Sequence, residues 1–374
     1  MTFNISSSLL FSRLQAISRV INSRNSLPIL DCFLFRIEDS ILSVTASDSE
    51  TTMITSVTLN DSDSNGSFAV VAKTILDAFK ELPEQPLNFT VDFDTYGIVV
   101  KYQNGMYNLV GQNADEFPQS VTVGTDAVRL NMNGQMLMSG INRAFFATAD
   151  DELRPVMNGV YFDITLEDIT IVASDGHKLV RCKILDACGE EHAAFILPKK
   201  PASLLKSLLP KEAGEIGIKF DQRNAVFTLE NYRMVCRLIE GRYPNYNSVI
   251  PQANPYKIII DRQQLLSALR RVSIFSSQGS SLIKLRLQEN KIIVSAQDID
   301  FSTSAEETLV CQYTGDEMNI GFKSSFLIEI LSNISATEVT IELTDPSRAG
   351  IILPIEQEEN EDLLMLLMPM MLND

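Results

Sequence analysis

Three α+β domains of similar fold, strung along one chain of 374 residues, are what the sequence predicts. Three observations predict it. A motif is written three times: Ile41-Leu-Ser-Val-Thr-Ala-Ser-Asp-Ser-Glu50, Ile169-Thr-Ile-Val-Ala-Ser-Asp-Gly-His-Lys-Leu-Val-Arg181 and Lys291-Ile-Ile-Val-Ser-Ala-Gln-Asp-Ile-Asp300. Each copy is an apolar strand that runs into a small polar residue and an Asp, then resumes as a second strand. Asp48, Asp175 and Asp298 stand 127 and 123 residues apart. A strand-then-helix segment repeats with nearly the same period, Phe68 to Leu82 recurring at Phe195 to Leu209 and at Ile320 to Leu331. The length is the third observation, since the chain exceeds the usual size of one hydrophobic core.

The elements follow in order. Leu10, Leu14, Ile17 and Ile21 mark an amphipathic helix over Ser6 to Asn22, with Arg13 and Arg19 off its apolar stripe. Leu30 to Glu38 and Ile41 to Ala46 read as strands, and Asp61 to Gly66 reads as a loop. Leu87, Phe89, Val91 and Phe93 alternate with polar residues, the period of a strand with one buried face. In the second copy a helix spans Gly134 to Phe146, an acidic loop follows at Asp150-Asp-Glu152, and strands span Gly159 to Ile164 and Ile169 to Ala173. Pro201 suits a first helical turn, where its missing N–H costs nothing. In the third copy Leu265, Leu266, Leu269 and Val272 mark a helix, and Leu282 to Leu287 and Lys291 to Ala296 are strands. Repeats this long, each with its own helices and sheet, are small domains rather than solenoid units. Breaks near Val123 to Asp126 and Ile250 to Pro255 divide the chain into 1–124, 125–253 and 254–374.

The net charge of −17 argues against a nucleic-acid partner on average. Its distribution argues the other way, because the six helical segments sum to +10 and leave −27 for strands and loops. Cations gathered on helices suit a polyanion met without sequence preference, by contacts to phosphates that weaken with salt. The helical Lys73, Lys80, Arg143 and Lys206, with Arg24, Lys199 and Lys200, are the candidate contacts.

Catalytic patterns are missing. No nucleotide-binding, zinc-protease or serine-hydrolase motif occurs, and neither the five scattered cysteines nor the two histidines make a metal-ligand set. No cofactor or metal is expected. Ser174, Asp175 and His177 lie too close in sequence for a catalytic triad, which is assembled from separated elements. The pairs Asp61/Asp63, Asp92/Asp94 and Asp298/Asp300 keep a metal-dependent nuclease as a rival reading, and a scaffold of repeated domains without DNA is the other. The start of the chain lacks a secretion signal and no 18-residue apolar run exists, so a cytoplasmic protein off the membrane is expected.

Ala173-Ser-Asp-Gly-His-Lys-Leu179, Glu240-Gly-Arg-Tyr-Pro-Asn-Tyr246, Ser26-Leu-Pro-Ile-Leu30 and Met368-Pro-Met-Met-Leu372 together resemble the bacterial DNA polymerase III beta subunit family, the sliding clamps, over the whole chain. The resemblance implies a head-to-tail dimeric ring with helices lining the hole and antiparallel sheets outside. It implies a non-catalytic processivity factor of the DNA polymerase holoenzyme, tethering polymerase and repair factors to double-stranded DNA. The implied partners are a second copy of the chain, the polymerase III catalytic subunit, the clamp loader and other proteins carrying a clamp-binding motif. At the subunit boundary it places Tyr107 and Leu109 against Ile274 and Phe275. Carried over, the partner-peptide pocket would be lined by Met157, Ser174, Gly176, His177, Lys178, Leu179, Pro244, Val249, Leu282, Phe326, Met368, Pro369, Met370 and Leu372. Residues 363–372 are all apolar, four of them Met, which fits a buried last strand that also walls an adaptable pocket. Family members often carry Arg at the positions of Lys178 and Ser248 and a basic residue at Met371. The best-known members carry aromatics where this chain has Pro155 and Val156, in the loop from Asp150 to Val156. The Asn373-Asp374 tail is an addition.

Overall fold

One order of elements is written three times in the computed structural model, which describes residues 1–212 and 214–372. The first copy is β1 (Thr2–Ser6), α1 (Ser7–Ile17), β2 (Cys32–Glu38), β3 (Ile41–Ser47), β4 (Thr51–Thr58), β5 (Gly66–Val71), α2 (Ala72–Lys80), β6 (Pro86–Asp92), β7 (Gly97–Tyr102) and β8 (Gly105–Val110). The second is β9 (Val128–Asn133), α3 (Gly134–Phe145), β10 (Gly159–Ile164), β11 (Ile169–Ser174), β12 (Lys178–Ile184), β13 (Ala193–Pro198), α4 (Lys199–Leu208), β14 (Glu215–Phe220), β15 (Asn224–Thr228) and β16 (Tyr232–Arg237). The third is β17 (Tyr256–Asp261), α5 (Arg262–Val272), β18 (Leu282–Gln288), β19 (Lys291–Asp298), β20 (Thr303–Val310), β21 (Met318–Lys323), α6 (Ser324–Ser332), β22 (Glu338–Leu343), β23 (Gly350–Pro354) and β24 (Glu361–Leu367).

The copies do not each keep a sheet to themselves, as the sequence reading had it. One eight-stranded antiparallel sheet runs β5-β2-β3-β4-β16-β15-β14-β9, and the second runs β13-β10-β11-β12-β24-β23-β22-β17. Each joins four strands of one copy to four of the next, so β4 and β12 are paired rather than left as open edges. The remaining strands form two four-stranded sheets, β1-β6-β7-β8 and β20-β19-β18-β21. This sharing governs compactness. One compact unit is Met1–Gln135 with Ser203–Leu238, the other Met136–Ala202 with Ile239–Asp374, and the division falls inside the second copy.

Local chemistry explains the boundaries. Ser6 caps α1 by accepting the Leu9 N–H at 3.1 Å, and Leu10, Leu14 and Ile17 are fully buried. The helix tightens into a 3₁₀ turn at Ser18–Val20, short of the expected Asn22. Pro28–Asp31 is also a 3₁₀ turn, so the strand expected from Leu30 begins at Cys32. The alternation of β6 stops at Asp92, whose carboxylate accepts the Asp94 N–H at 3.0 Å and the Thr95 hydroxyl at 2.7 Å, turning the chain and leaving Phe93 exposed. In α5, Asp261 caps the Gln264 N–H at 2.7 Å while Leu265, Leu266, Leu269 and Val272 are buried.

The three repeated aspartates share one task. Asp48 Oδ1 accepts the N–H groups of Glu50 and Thr51 at 3.0 and 2.7 Å, and Asp175 Oδ1 accepts those of His177 and Lys178 at 2.8 and 2.9 Å. Asp298 Oδ1 accepts those of Asp300 and Phe301 at 3.0 and 3.2 Å. Each satisfies the amides of the hairpin turn between the second and third strands of its sheet, which accounts for the period in the sequence.

Candidate functional site

The turn after Asp175 carries most of the second unit's candidate site. Every residue of β11 is buried, which fixes Ser174 at its end. The Ser174 hydroxyl donates to the Lys178 carbonyl at 2.9 Å and accepts the Gly176 N–H at 3.1 Å. Gly176 has φ +90°, a backbone conformation that asks for glycine; the Arg154 guanidinium, 2.9 Å from where a Cβ would lie, is the tip of a half-exposed side chain that can move aside. The Ser, Asp and His of this stretch therefore build a turn and do not converge as a triad. His177 stacks on Phe326 with ring centroids 5.9 Å apart. Lys178 is 5 % exposed, and its ammonium sits 2.8 Å from Glu329, 3.2 Å from Asp175 and 4.3 Å from the Phe326 ring centroid. A buried cation is tolerable there because two carboxylates and a ring face it.

Beside this turn lies a mainly apolar cavity of about 150 Å³. Met157, Leu179, Pro244, Val249 and Met368 line it together with Ser174, Gly176, His177 and Lys178, all of them expected from the resemblance. The cavity stays open at its rim, where Val249 and Met368 are 53 % and 41 % exposed. Met368 is held by its N–H, which donates to the His177 carbonyl at 2.8 Å as β24 ends.

The expected residues Leu282, Phe326, Pro369, Met370 and Leu372 are not among the residues lining this cavity. Phe326 backs the His177–Lys178 turn from α6. Met370 donates its N–H to the Gly321 carbonyl at 2.8 Å, and Leu372 and Leu282 close over Gly321, where a Cβ would meet them at 2.8 and 3.0 Å. The last apolar run is thus a strand only to Leu367. Beyond it the chain crosses to β21, with Met371 80 % exposed, and Asn373-Asp374 lie outside the described residues.

Tyr243, Asn245, Tyr246 and Leu366 also line the cavity, unforeseen. Tyr243 stacks on Tyr161 at 4.5 Å, and Tyr246 donates to Asp163 at 2.7 Å. Burial pushes the Tyr243 phenol up, and burial with the neighbouring Asp163 does the same to Tyr246, so both stay protonated. The Tyr243 hydroxyl makes no hydrogen bond of good geometry, although the Ser174 backbone approaches it. The Glu240 to Tyr246 motif carries the signal for all three aromatic and amide neighbours, and the resemblance takes only Pro244 from it.

The candidate phosphate contacts divide in two. Arg24, Lys73 and Lys80 are exposed, Lys80 lying 4.0 Å from Glu81. Lys199 and Lys200 are half-buried at the start of α4, Lys199 reaching Asp150 at 2.5 Å, and burial lowers the pKa of Lys206. Arg143 is different. Its side chain is 17 % exposed, lies 3.6 Å from Glu361 and donates to the Asn333 carbonyl at 3.4 Å, so it is tied inward. Arg262 and Arg271 are also committed, the latter bidentate to Glu307 at 2.7 Å, so the helical excess of charge overstates the cations open to a ligand. In the loop after α3, Arg154 pairs with Asp151 at 2.7 Å and Leu153 is 93 % exposed.

Tyr107 and Leu109 are half-buried on β8, and Ile274 and Phe275 are 77 % and 39 % exposed just after α5. One aspartate of each pair serves a turn or terminus, Asp92 and Asp298 in turns and Asp63 at the N-terminus, where it accepts the Thr2 N–H and hydroxyl at 2.7 Å each, which holds its pKa down at about 2. Among the described residues no group of three or more His, Cys, Asp or Glu is placed to hold a metal, and no helix is long and apolar enough to cross a membrane.

A threefold-repeated antiparallel architecture with few helices and an apolar cavity beside the second repeat's turn is the three-domain clamp fold. The N-terminal, central and C-terminal domains of the DNA polymerase III beta subunit family match residues 1–121, 131–245 and 247–371. Similar proteins include the beta sliding clamps of Pseudomonas aeruginosa, 29 % identical over 374 residues and 100 % of each chain, and of Haemophilus influenzae, 29 % identical over 98 % of this chain and 99 % of that one. Among solved structures, the DNA polymerase III subunit beta of Pseudomonas aeruginosa superposes with a TM-score of 0.94 at 28 % identity, covering 100 % of both chains. The chain belongs to the DNA polymerase III beta subunit family, and it acts as a DNA sliding clamp and processivity factor rather than as an enzyme.

Proposed function

We propose that two copies of this chain close head to tail into a ring around duplex DNA and hold the polymerase on its template by enclosure. One observation carries the reading: two four-stranded sheets end in the edge strands β8 and β20, whose counterparts in the eight-stranded sheets join one repeat to the next. In the first unit β4 pairs with β16, Thr51 lying opposite Cys236; in the second β12 pairs with β24, Lys178 lying opposite Leu367. By position in the repeat, Thr303 of β20 corresponds to Thr51 and Lys178, and Leu109 of β8 corresponds to Cys236 and Leu367. Both β8 and β20 are sheet edges with alternating exposure, paired on one side with β7 and β19 and on the other side with no strand among the described residues. Pairing β20 with β8 of the partner subunit, Thr303 opposite Leu109, repeats the register used twice within the chain. It brings Tyr107 and Leu109 toward Ile274 and Phe275, and it removes both open edges.

In this reading 1–124, 125–253 and 254–374 are the three clamp domains, working in the cytoplasm. Arg24, Lys73, Lys80, Lys199, Lys200 and Lys206 meet phosphates without reading sequence, and Arg143 leaves the set because Glu361 holds it. The cavity beside Leu179 and Met368 takes an apolar anchor of a short peptide, presented by the polymerase III catalytic subunit, the clamp loader or another protein with a clamp-binding motif. The chain has no nucleotide motif, so ring opening falls to a loader that supplies the ATPase. Retention on nicked circular DNA, with release once the circle is linearised, is the expected behaviour. A loaded protein that stays on linear DNA as long as on circles, or a solution mass that never exceeds one chain, overturns the ring.

A further inference from the structure

The turn after Asp298 departs from its two counterparts. Two residues separate Asp48 from Thr51 and Asp175 from Lys178, whereas four, Ile299, Asp300, Phe301 and Ser302, separate Asp298 from Thr303, with which it pairs. Ile299 and Phe301 are 80 % and 78 % exposed, two large apolar groups on the tip of an acidic hairpin. At the other two turns the neighbouring chain is bonded to the turn: Arg237 N–H donates to the Glu50 carbonyl at 2.9 Å, and Met368 N–H donates to the His177 carbonyl at 2.8 Å. Arg237 and Met368 each follow the residue opposite the strand start, Cys236 and Leu367. The residue in that position on β8 is Val110, next after Leu109, and it is 78 % exposed.

We propose that Ile299 and Phe301 of one subunit cover Val110 of the partner subunit, forming an apolar clasp at the turn end of the seam. The clasp rests on the two-copy ring of the preceding section. Glu50 and Arg237 fill the equivalent position in the first unit with a charge pair, and His177 and Met368 leave it as the rim of a cavity. In the third position both sides are apolar and solvent-exposed in the lone chain, so a second copy is the occupant that continues the register of β8 and β20. The insertion of two turn residues lengthens the reach of the hairpin across that boundary.

Sedimentation of the full chain over a dilution series tests this. Phe301→Ser and Val110→Ser should each raise the dimer dissociation constant about tenfold, which corresponds to ~1.4 kcal/mol. The double variant should raise it by less than the product of the two, because either change alone breaks the same contact. Leu153→Ser, at a residue 93 % exposed and outside the seam, should leave the constant unchanged. A wild-type chain that stays monomeric removes the ring and the clasp together. A wild-type dimer that Phe301→Ser leaves intact, or single effects that simply multiply, overturns the clasp and leaves the ring standing. Thermal melts of each variant, expected to match wild type at such exposed positions, separate lost pairing from lost folding.

Discussion

In one compact unit Arg237 lies beside the turn after Asp48, and in the other Met368 lies beside the turn after Asp175, each bonded through its N–H to the turn. The backbones correspond closely, with Ser49 at φ 79° where Gly176 has φ 90°. The side chains do not. Glu50 and Arg237 approach to 3.4 Å at the first turn and stay more than half exposed, and Thr52 occupies the position that Leu179 holds at the second. At the second turn Leu179 and Met368 face Val249 and Pro244, and a cavity remains. A cavity, the docking site of the proposed function, has thus been made from a repeated hairpin by replacing a few side chains, with the hydrogen-bonded frame unchanged. The aspartates, common to all three turns, belong to the frame.

Exchanging the side chains should break the contrast. Leu179→Thr with Met368→Arg gives the second turn the chemistry of the first, and binding of a peptide with apolar anchors should weaken at least ~100-fold by fluorescence anisotropy, as for loss of a buried hot spot. Affinity within threefold of wild type would mean that the cavity is not where peptides dock. The two turn residues come next. Gly176→Ser forces a side chain onto φ 90° and should cost ~1–2 kcal/mol in chemical denaturation, whereas Ser49→Gly should gain up to ~0.5 kcal/mol by releasing the same strain. Equal signs for the two would show that the turns are not equivalent. Arg237→Ala removes an exposed ion pair and should change stability by less than ~0.5 kcal/mol. The smallest difference is expected between Cys236 of the first unit and Cys182 of the second. Burial pushes each thiol up to about 12, so both stay protonated at pH 8, and iodoacetamide should modify the exposed Cys188 while sparing both until denaturant is added.

Much of this was legible in the sequence where spacing alone decides structure. β10 begins and ends where the pattern of Gly159 to Ile164 places it, and the Asp-Gly at 175–176 makes the expected turn. Pairing between copies was not legible, because the residues of Thr51–Thr58 can say that a strand resumes after the turn and say nothing of Tyr232–Arg237 as its neighbour. Charge counting failed at Arg143 for a similar reason, since Glu361 lies more than two hundred residues away in sequence. In the cavity, motif residues with a distinctive neighbour such as Pro244 were found, whereas Tyr243 and Tyr246 enter through stacking and burial that only the folded chain reveals.

Under the proposed pairing, the unlike edges of β8 and β20 make the molecule a link rather than a cap. Each joining event consumes one edge of either kind and leaves one of either kind free, until the last two meet. Under that pairing, closure requires the free edges of the first and last copies to reach each other, however strong any one contact is. A chain that pairs well but bends too little would go on adding copies as an open filament.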